Sequence, residues 1–127
     1  MKTHFILYVA DQPRATAFYE SVLGQPATLN VPGMAEFDLS DTAVLGLMPE
    51  SGIRRLLGSA LPDPSSSHGV PRAEVYLLTD DPETLHARAL AAGARKLSPL
   101  QARDWGHAVA YSLDPDGHVL AFAKVLV

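Results

Sequence analysis

The chain carries nearly the same local plan twice, and this constrains its fold more than any other feature. Residues 3–25 (THFILYVADQPRATAFYESVLGQ) read as strand, Asp-x-Pro turn, helix and glycine stop. Residues 73–94 (AEVYLLTDDPETLHARALAAGA) repeat that order, with Pro13 and Gly24 recurring at one common offset as Pro82 and Gly93. Each copy is followed by two further strand-like runs, MAEFDLSD with AVLGLMPE in the first and GHAVAYSLDPD with HVLAFAKVLV in the second. Two copies of a half-buried sheet are expected to bury one another and to leave a cavity between them in which a function would sit.

The 127 residues are enough for one domain with its own core, split by the duplication into two modules: residues 1–58, a linker over 59–71, and residues 72–127. A net charge of −4, with ten Lys and Arg spread along the chain, supplies no basic patch for nucleic acid, so no nucleic-acid partner is expected. The absence of Cys removes disulfides, zinc–thiolate sites and cysteine nucleophiles together. The first strand lacks the pattern of a signal peptide and no apolar run reaches the length of a membrane helix, so a cytoplasmic protein without membrane contact is expected.

Alternation along the first strand puts His4, Ile6 and Tyr8 on one face and Phe5, Leu7 and Val9 on the other, with cover expected on both sides. Asp11 can cap a helix with Pro13 in its first turn, and its stripe of Ala15, Phe18, Tyr19 and Val22 should lie over Phe5, Leu7 and Val9. Strands follow at 35–40 and 43–49. Residues 50–58 suggest a short amphipathic helix with Ile53, Leu56 and Leu57 inward. The Pro- and Ser-rich stretch after it has linker composition. In the second copy Glu74, Tyr76 and Leu78 share a face opposite Val75 and Leu77. Asp80 or Asp81 caps the next helix, and Asp114-Pro115-Asp116-Gly117 is a tight-turn signal between the last two strands.

In this order, FYESVLG after an early HFILYVAD strand, and DPDG followed by HVLAFA, resemble the vicinal oxygen chelate superfamily of glyoxalase I, extradiol dioxygenases, fosfomycin-resistance enzymes and bleomycin-resistance proteins. The resemblance covers nearly the whole chain. It implies an α+β fold in which two βαβββ modules pair into an open eight-stranded cup, commonly within a homodimer. Members that are metalloenzymes carry four ligand positions, which fall here on His4, Gly46, Glu74 and Ala121. His4 and Glu74 can donate; Gly46 and Ala121 have no side-chain donor.

A catalytic divalent ion usually needs three protein ligands. His4 and Glu74 supply two, unless Glu36, Asp38, His107 or a partner subunit adds another. The expected cup is therefore metal-free, widened by Gly46 and Ala121 and walled by Ile6, Tyr8, Met48 and Tyr76, with Trp105 and His107 near its rim. Val44, Leu78, Val119 and Ala123 share that face by alternation. Such a mainly apolar wall suits a small organic ligand, oriented by His4 and Glu74. The alternative is a glyoxalase-type lyase or isomerase, or a dioxygenase, holding one Ni, Zn, Mn or Fe ion on His4 and Glu74. A third possibility makes His4 and Glu74 a metal-free acid–base pair. His68 and His86 read as surface histidines, in the linker and on an exposed helix face. No phosphate loop or serine-nucleophile elbow is present.

Overall fold

A computed structural model describes residues 1–127 and has no cis peptide bond. The elements run β1 (Thr3–Val9), α1 (Gln12–Leu23), β2 (Leu29–Val31), β3 (Met34–Ser40), β4 (Ala43–Pro49), α2 (Glu50–Leu57), β5 (Glu74–Leu78), α3 (Pro82–Ala91), β6 (Arg95–Ala102), β7 (His107–Leu113) and β8 (Val119–Val125). The order βαβββ thus occurs twice. Each module builds one four-stranded mixed sheet, β1-β4-β3-β2 and β5-β8-β7-β6, in which only the first strand is parallel to its neighbour. The chain divides into two compact units and passes from one to the other between His68 and Gly69, inside the Pro- and Ser-rich segment. Two short 3-10 turns, Gly58–Ala60 and Pro64–Ser67, give that segment local structure, and Pro64 is buried.

In the first module, α1 starts where the Asp11 carboxylate accepts the Arg14 N–H at 3.0 Å, with Pro in its first turn. It stops at Gly24, whose φ of 70° is left-handed and whose N–H donates to the Glu20 carbonyl. Ala15, Phe18, Tyr19 and Val22 are buried, as are Leu7, Val9, Phe37, Leu45 and Leu47 on one sheet face. The Tyr19 ring lies 6.4 Å from Phe37 and 5.1 Å from Phe18, edge-on to the latter. Burial takes the C-terminal half of β1 only. Phe5 is 69% exposed, so the helix does not cover it and the expectation of a strand enclosed on both sides fails for its first half. In α2, Ile53 alone is buried; Leu56 and Leu57 face solvent, because a two-turn helix docked through Ile53 leaves its last turn uncovered.

The second module follows the same plan with different contents. Asp81 is the helix cap, accepting the Thr84 N–H at 3.2 Å and the Thr84 hydroxyl at 2.6 Å, which holds its carboxyl below the usual range. Beneath α3 lie Ala108, Ala110, Leu120 and Phe122, all buried. His86 is buried with them, contrary to its expected place on an exposed face. Its Nε2 is 2.5 Å from the Ser112 hydroxyl, and its ring lies 5.4 Å from Phe122. Burial pushes the imidazole below its ordinary range, Lys96 pushes the same way, and the Tyr111 backbone offsets part of this.

Candidate functional site

Cross-strand pairs place side chains on a common face, so register identifies which residues can act together. In the second module, Tyr76 pairs with Ala121, which pairs with Tyr111; Leu78 pairs with Ala123, and His107 with Val125. Tyr76, Leu78, His107, Val109, Tyr111, Ala121, Ala123 and Val125 therefore share the face away from α3. Val109, Ala121 and Ala123 are fully buried, and Tyr76 and Tyr111 pack against them.

A hydrogen-bond chain crosses this face. The Arg103 N–H donates to the His107 carbonyl at 2.8 Å and closes the β6–β7 hairpin, with Gly106 at a φ of 85° that a side chain would resist. The hairpin brings Trp105 over Tyr76: the indole N–H donates to the phenol oxygen at 2.9 Å. The same phenol lies 2.6 Å from His107 Nδ1, with the two rings 5.8 Å apart. Three residues singled out in the sequence for ligand contact, Tyr76, Trp105 and His107, are thus joined directly. Trp105 remains 55% exposed, leaving most of a flat aromatic surface open.

Arg103 supports this group from the side. Its Nη2 donates to Ser98 Oγ at 2.7 Å and to the Val109 carbonyl at 2.9 Å, its guanidinium sits 5.2 Å from the Tyr111 ring centroid, and its Nε is buried without a partner. Burial and the Glu74 carboxylate raise the Tyr111 phenol above its ordinary range, with Arg103 pulling the other way. Arg103 and Tyr111 were not foreseen as site residues. The strand pairing that brings them beside Glu74 and Tyr76 is not visible in sequence order.

An open depression of about 530 Å³ adjoins the end of this face, lined by Leu78, Thr79, Asp80, Lys124, Val125 and Val127. Val125 is the register partner of His107, and the Leu126 N–H donates to the Gly106 carbonyl at 2.9 Å. Leu78 and Val125 thus belong both to this face and to the lining of the depression, while Tyr76, Trp105 and His107 do not line it. Its volume lies within the range of small-molecule sites.

The first module arranges its face differently. Register puts His4, Ile6, Tyr8, Val44, Gly46, Met48, Met34 and Glu36 together. His4 Nδ1 lies 3.5 Å from the Glu36 carboxylate, and both side chains are partly exposed. Gly46 does not open a space there. A Cβ on it would stand 3.0 Å from Ile6 Cγ1 and 3.4 Å from Met34 Sδ, so neighbouring side chains already occupy the position. At Ala121, likewise, Tyr76 and Tyr111 fill the surroundings. The expectation that these two small residues widen a cavity is corrected at both positions: a missing side chain in a packed sheet is compensated by its neighbours.

No group of three or more His, Asp or Glu side chains is gathered so as to hold an ion. His4 and Glu36 make a pair, while Glu74 stands on β5 near Tyr111. The chain's own residues do not fit the three-ligand set of a catalytic divalent centre.

The family model of the Glyoxalase/Bleomycin resistance protein/Dioxygenase superfamily matches residues 3–122. No curated protein matches the sequence. Among solved structures, a glyoxalase-related enzyme from Fulvimarina pelagi superposes with a TM-score of 0.80 at 21% identity, over 98% of this chain and 87% of its own. A glyoxalase/bleomycin resistance protein/dioxygenase family enzyme from Burkholderia phytofirmans PsJN gives 0.79 at 21%, over 97% of both chains. A glyoxalase/bleomycin resistance protein/dioxygenase from Nocardioides gives 0.77 at 22%, over 99% of this chain and 83% of its own. At these identities the likeness is one of fold.

Proposed function

The chain belongs to the Glyoxalase/Bleomycin resistance protein/Dioxygenase superfamily, and since that family spans several chemistries, we propose from the site itself that this member binds a small, largely aromatic molecule without a metal ion. The observation that carries this reading is the hydrogen-bond chain Trp105–Tyr76–His107, on a sheet face whose Leu78 and Val125 also line an open depression. A half-exposed indole held by a hydrogen bond offers stacking area at little entropic cost, because its orientation is already fixed. Leu78 and Val125 add apolar contact, and His107 and Glu74 give polar handles that set orientation.

Trp105 is the only tryptophan, so its fluorescence reports directly on the site. A screen of small aromatic compounds, followed by calorimetry, is expected to find binders whose affinity falls at least about tenfold in Tyr76→Ala, the loss of one buried-aromatic contact. Unchanged affinity for every binder would overturn the reading. Elemental mass spectrometry of protein purified without chelators, then incubated with Ni, Mn, Fe(II) or Zn, is expected to show well under one ion per protomer. One ion per protomer, lost in His4→Ala, would instead establish a metal-dependent protein.

A further inference from the structure

We infer that Arg103 is a positioning residue of the proposed ligand site: its guanidinium braces the bulged edge of the second sheet and so fixes the Trp105 hairpin and the Tyr111 ring, both neighbours of Tyr76. This rests on the small-molecule reading and assigns that site a residue that acts through others. β6 is an edge strand, paired only with β7. From Ser98 to Gln101 it advances three residues while its partner advances two, from Tyr111 to Val109, and Pro99 inside that step has no N–H to give. The β7–β8 pairing, in contrast, runs unbroken from His107 to Leu113. β6 is thus the weakly held strand of this sheet, and the hairpin that carries Trp105 grows out of it.

The Arg103 guanidinium stands at that step. Its Nη2 donates to Ser98 Oγ at 2.7 Å on one strand and to the Val109 carbonyl at 2.9 Å on the other. Charged donors make the stronger hydrogen bonds, so one side chain restores a link between strands where the ladder is irregular. The Tyr111 ring lies against the same guanidinium, its centroid 5.2 Å from Cζ. Nε is buried without a partner, a cost that an arginine serving only solubility avoids by turning that nitrogen to water. The side chain is therefore held for its contacts, and these reach the site by two routes. The backbone N–H of Arg103 closes the hairpin on the His107 carbonyl, two residues from Trp105, whose indole donates to Tyr76. Tyr111 packs with Tyr76 against Val109, Ala121 and Ala123. Releasing the guanidinium frees the β6 edge and the Tyr111 ring together, and Trp105 loses the fixed orientation on which stacking of a ligand depends.

Arg103→Met keeps a long side chain and removes every donor, Arg103→Lys keeps the charge without the planar fork, and Ser98→Ala removes one acceptor and leaves the arginine. Each full-length variant is compared with the wild type by Trp105 emission and acrylamide quenching, in the native baseline of a denaturant melt where all chains are folded. In Arg103→Met the emission is expected to move towards that of Tyr76→Phe and quenching to rise, with Arg103→Lys between it and the wild type and Ser98→Ala shifted least. Affinity for an aromatic binder from the screen is expected to fall about threefold to tenfold in Arg103→Met, the cost of ordering the hairpin again on binding. A folded Arg103→Met with wild-type emission, quenching and affinity, whatever its melt, would make Arg103 a stabilising residue only and overturn the inference while leaving the small-molecule reading intact. Should Arg103→Met fail to fold, wild-type emission and quenching in Ser98→Ala would overturn it equally. Altered Trp105 signals with no binder anywhere in the screen would instead overturn the small-molecule reading and leave the brace standing.

Discussion

The two modules share a backbone plan and differ in what they do with the same positions. Under α1 the first module packs Phe18, Tyr19 and Phe37 around aliphatic neighbours. Under α3 the second buries a His86–Ser112 hydrogen bond against Phe122. On the opposite faces, the first has an exposed His4–Glu36 pair beside a glycine already packed by Ile6 and Met34. The second has the tethered aromatic chain of Tyr76, Trp105 and His107. The lesson is that duplicated topology fixes strand register and helix placement, while polar chemistry is free to diverge wherever each new polar group finds a partner. The second module carries more of that chemistry.

This contrast can be broken or sharpened by substitution. The largest effect is expected at the turns. Gly33, in the β2–β3 turn, has a φ of 97° with open space where a Cβ would go, whereas Gly117, in the β7–β8 turn, has a φ of 88° and its Cβ would collide with the Gly69 backbone. Gly117→Ala should cost about 2–4 kcal/mol and Gly33→Ala about 1 kcal/mol in denaturant melts, strain alone accounting for the smaller value. Equal losses would show that the Gly69 contact contributes nothing.

Next in size is the buried imidazole. Ser112→Ala strands His86 Nε2 inside the second module and should cost about 1–3 kcal/mol. Because burial lowers the native pKa of His86 beneath its unfolded value, the unfolded chain binds more protons at acid pH. The stabilising contribution is then fully present above the unfolded value of about 6.5 and declines as pH falls through it towards the native value. In His86→Phe that part of the pH dependence should disappear from chemical melts between pH 7.5 and 5. An unchanged profile would assign the dependence to other groups.

A smaller effect is expected from Tyr76→Phe, which keeps the ring but removes the hub of the hydrogen-bond chain. Trp105 emission should shift as the indole loses its acceptor, and affinity for an aromatic binder should fall about threefold to tenfold while stability changes by less than about 1 kcal/mol. The smallest effect is expected for Glu36→Gln. The exposed His4–Glu36 pair should contribute about 0–0.5 kcal/mol, so melts of the variant should overlie the wild type. A loss above about 1 kcal/mol would reveal that the pair is doing more in the first module than a solvated ion pair does.

Much of the fold could be read in advance from particular residues. Asp11, Pro13 and Gly24 bounded α1, and Asp80 or Asp81 with Pro82 and Gly93 marked α3, because caps and stops depend on local backbone chemistry. The structure chooses Asp81 as the cap and places the C-cap of α3 at Ala92, one residue before Gly93. Strands β3 and β4 followed from their patterns. Two elements escaped. β2 is only three residues long, and β6 contains Pro99, which the run tolerates because β6 is an edge strand with register shifts around Ser98. His86 was misplaced for a different reason. An isolated polar residue on a helix looks exposed until Ser112, 26 positions away, is seen to satisfy it.

The sequence by itself determined the duplication, the first strand, the helix and the last two strands of each copy, the family and the identity of the candidate aromatic residues, since these rest on local periodicity, turn chemistry and motif order. The tertiary structure decided which of those residues touch. Pairing β5 with β8 and β8 with β7 brings Tyr76, His107, Tyr111 and Ala121 onto one face, and the Arg103–His107 hairpin lowers Trp105 onto Tyr76. It also decided that Gly46 and Ala121 leave no room, because space in a packed sheet belongs to whichever neighbour can fill it, and that choice is made only when distant strands come together.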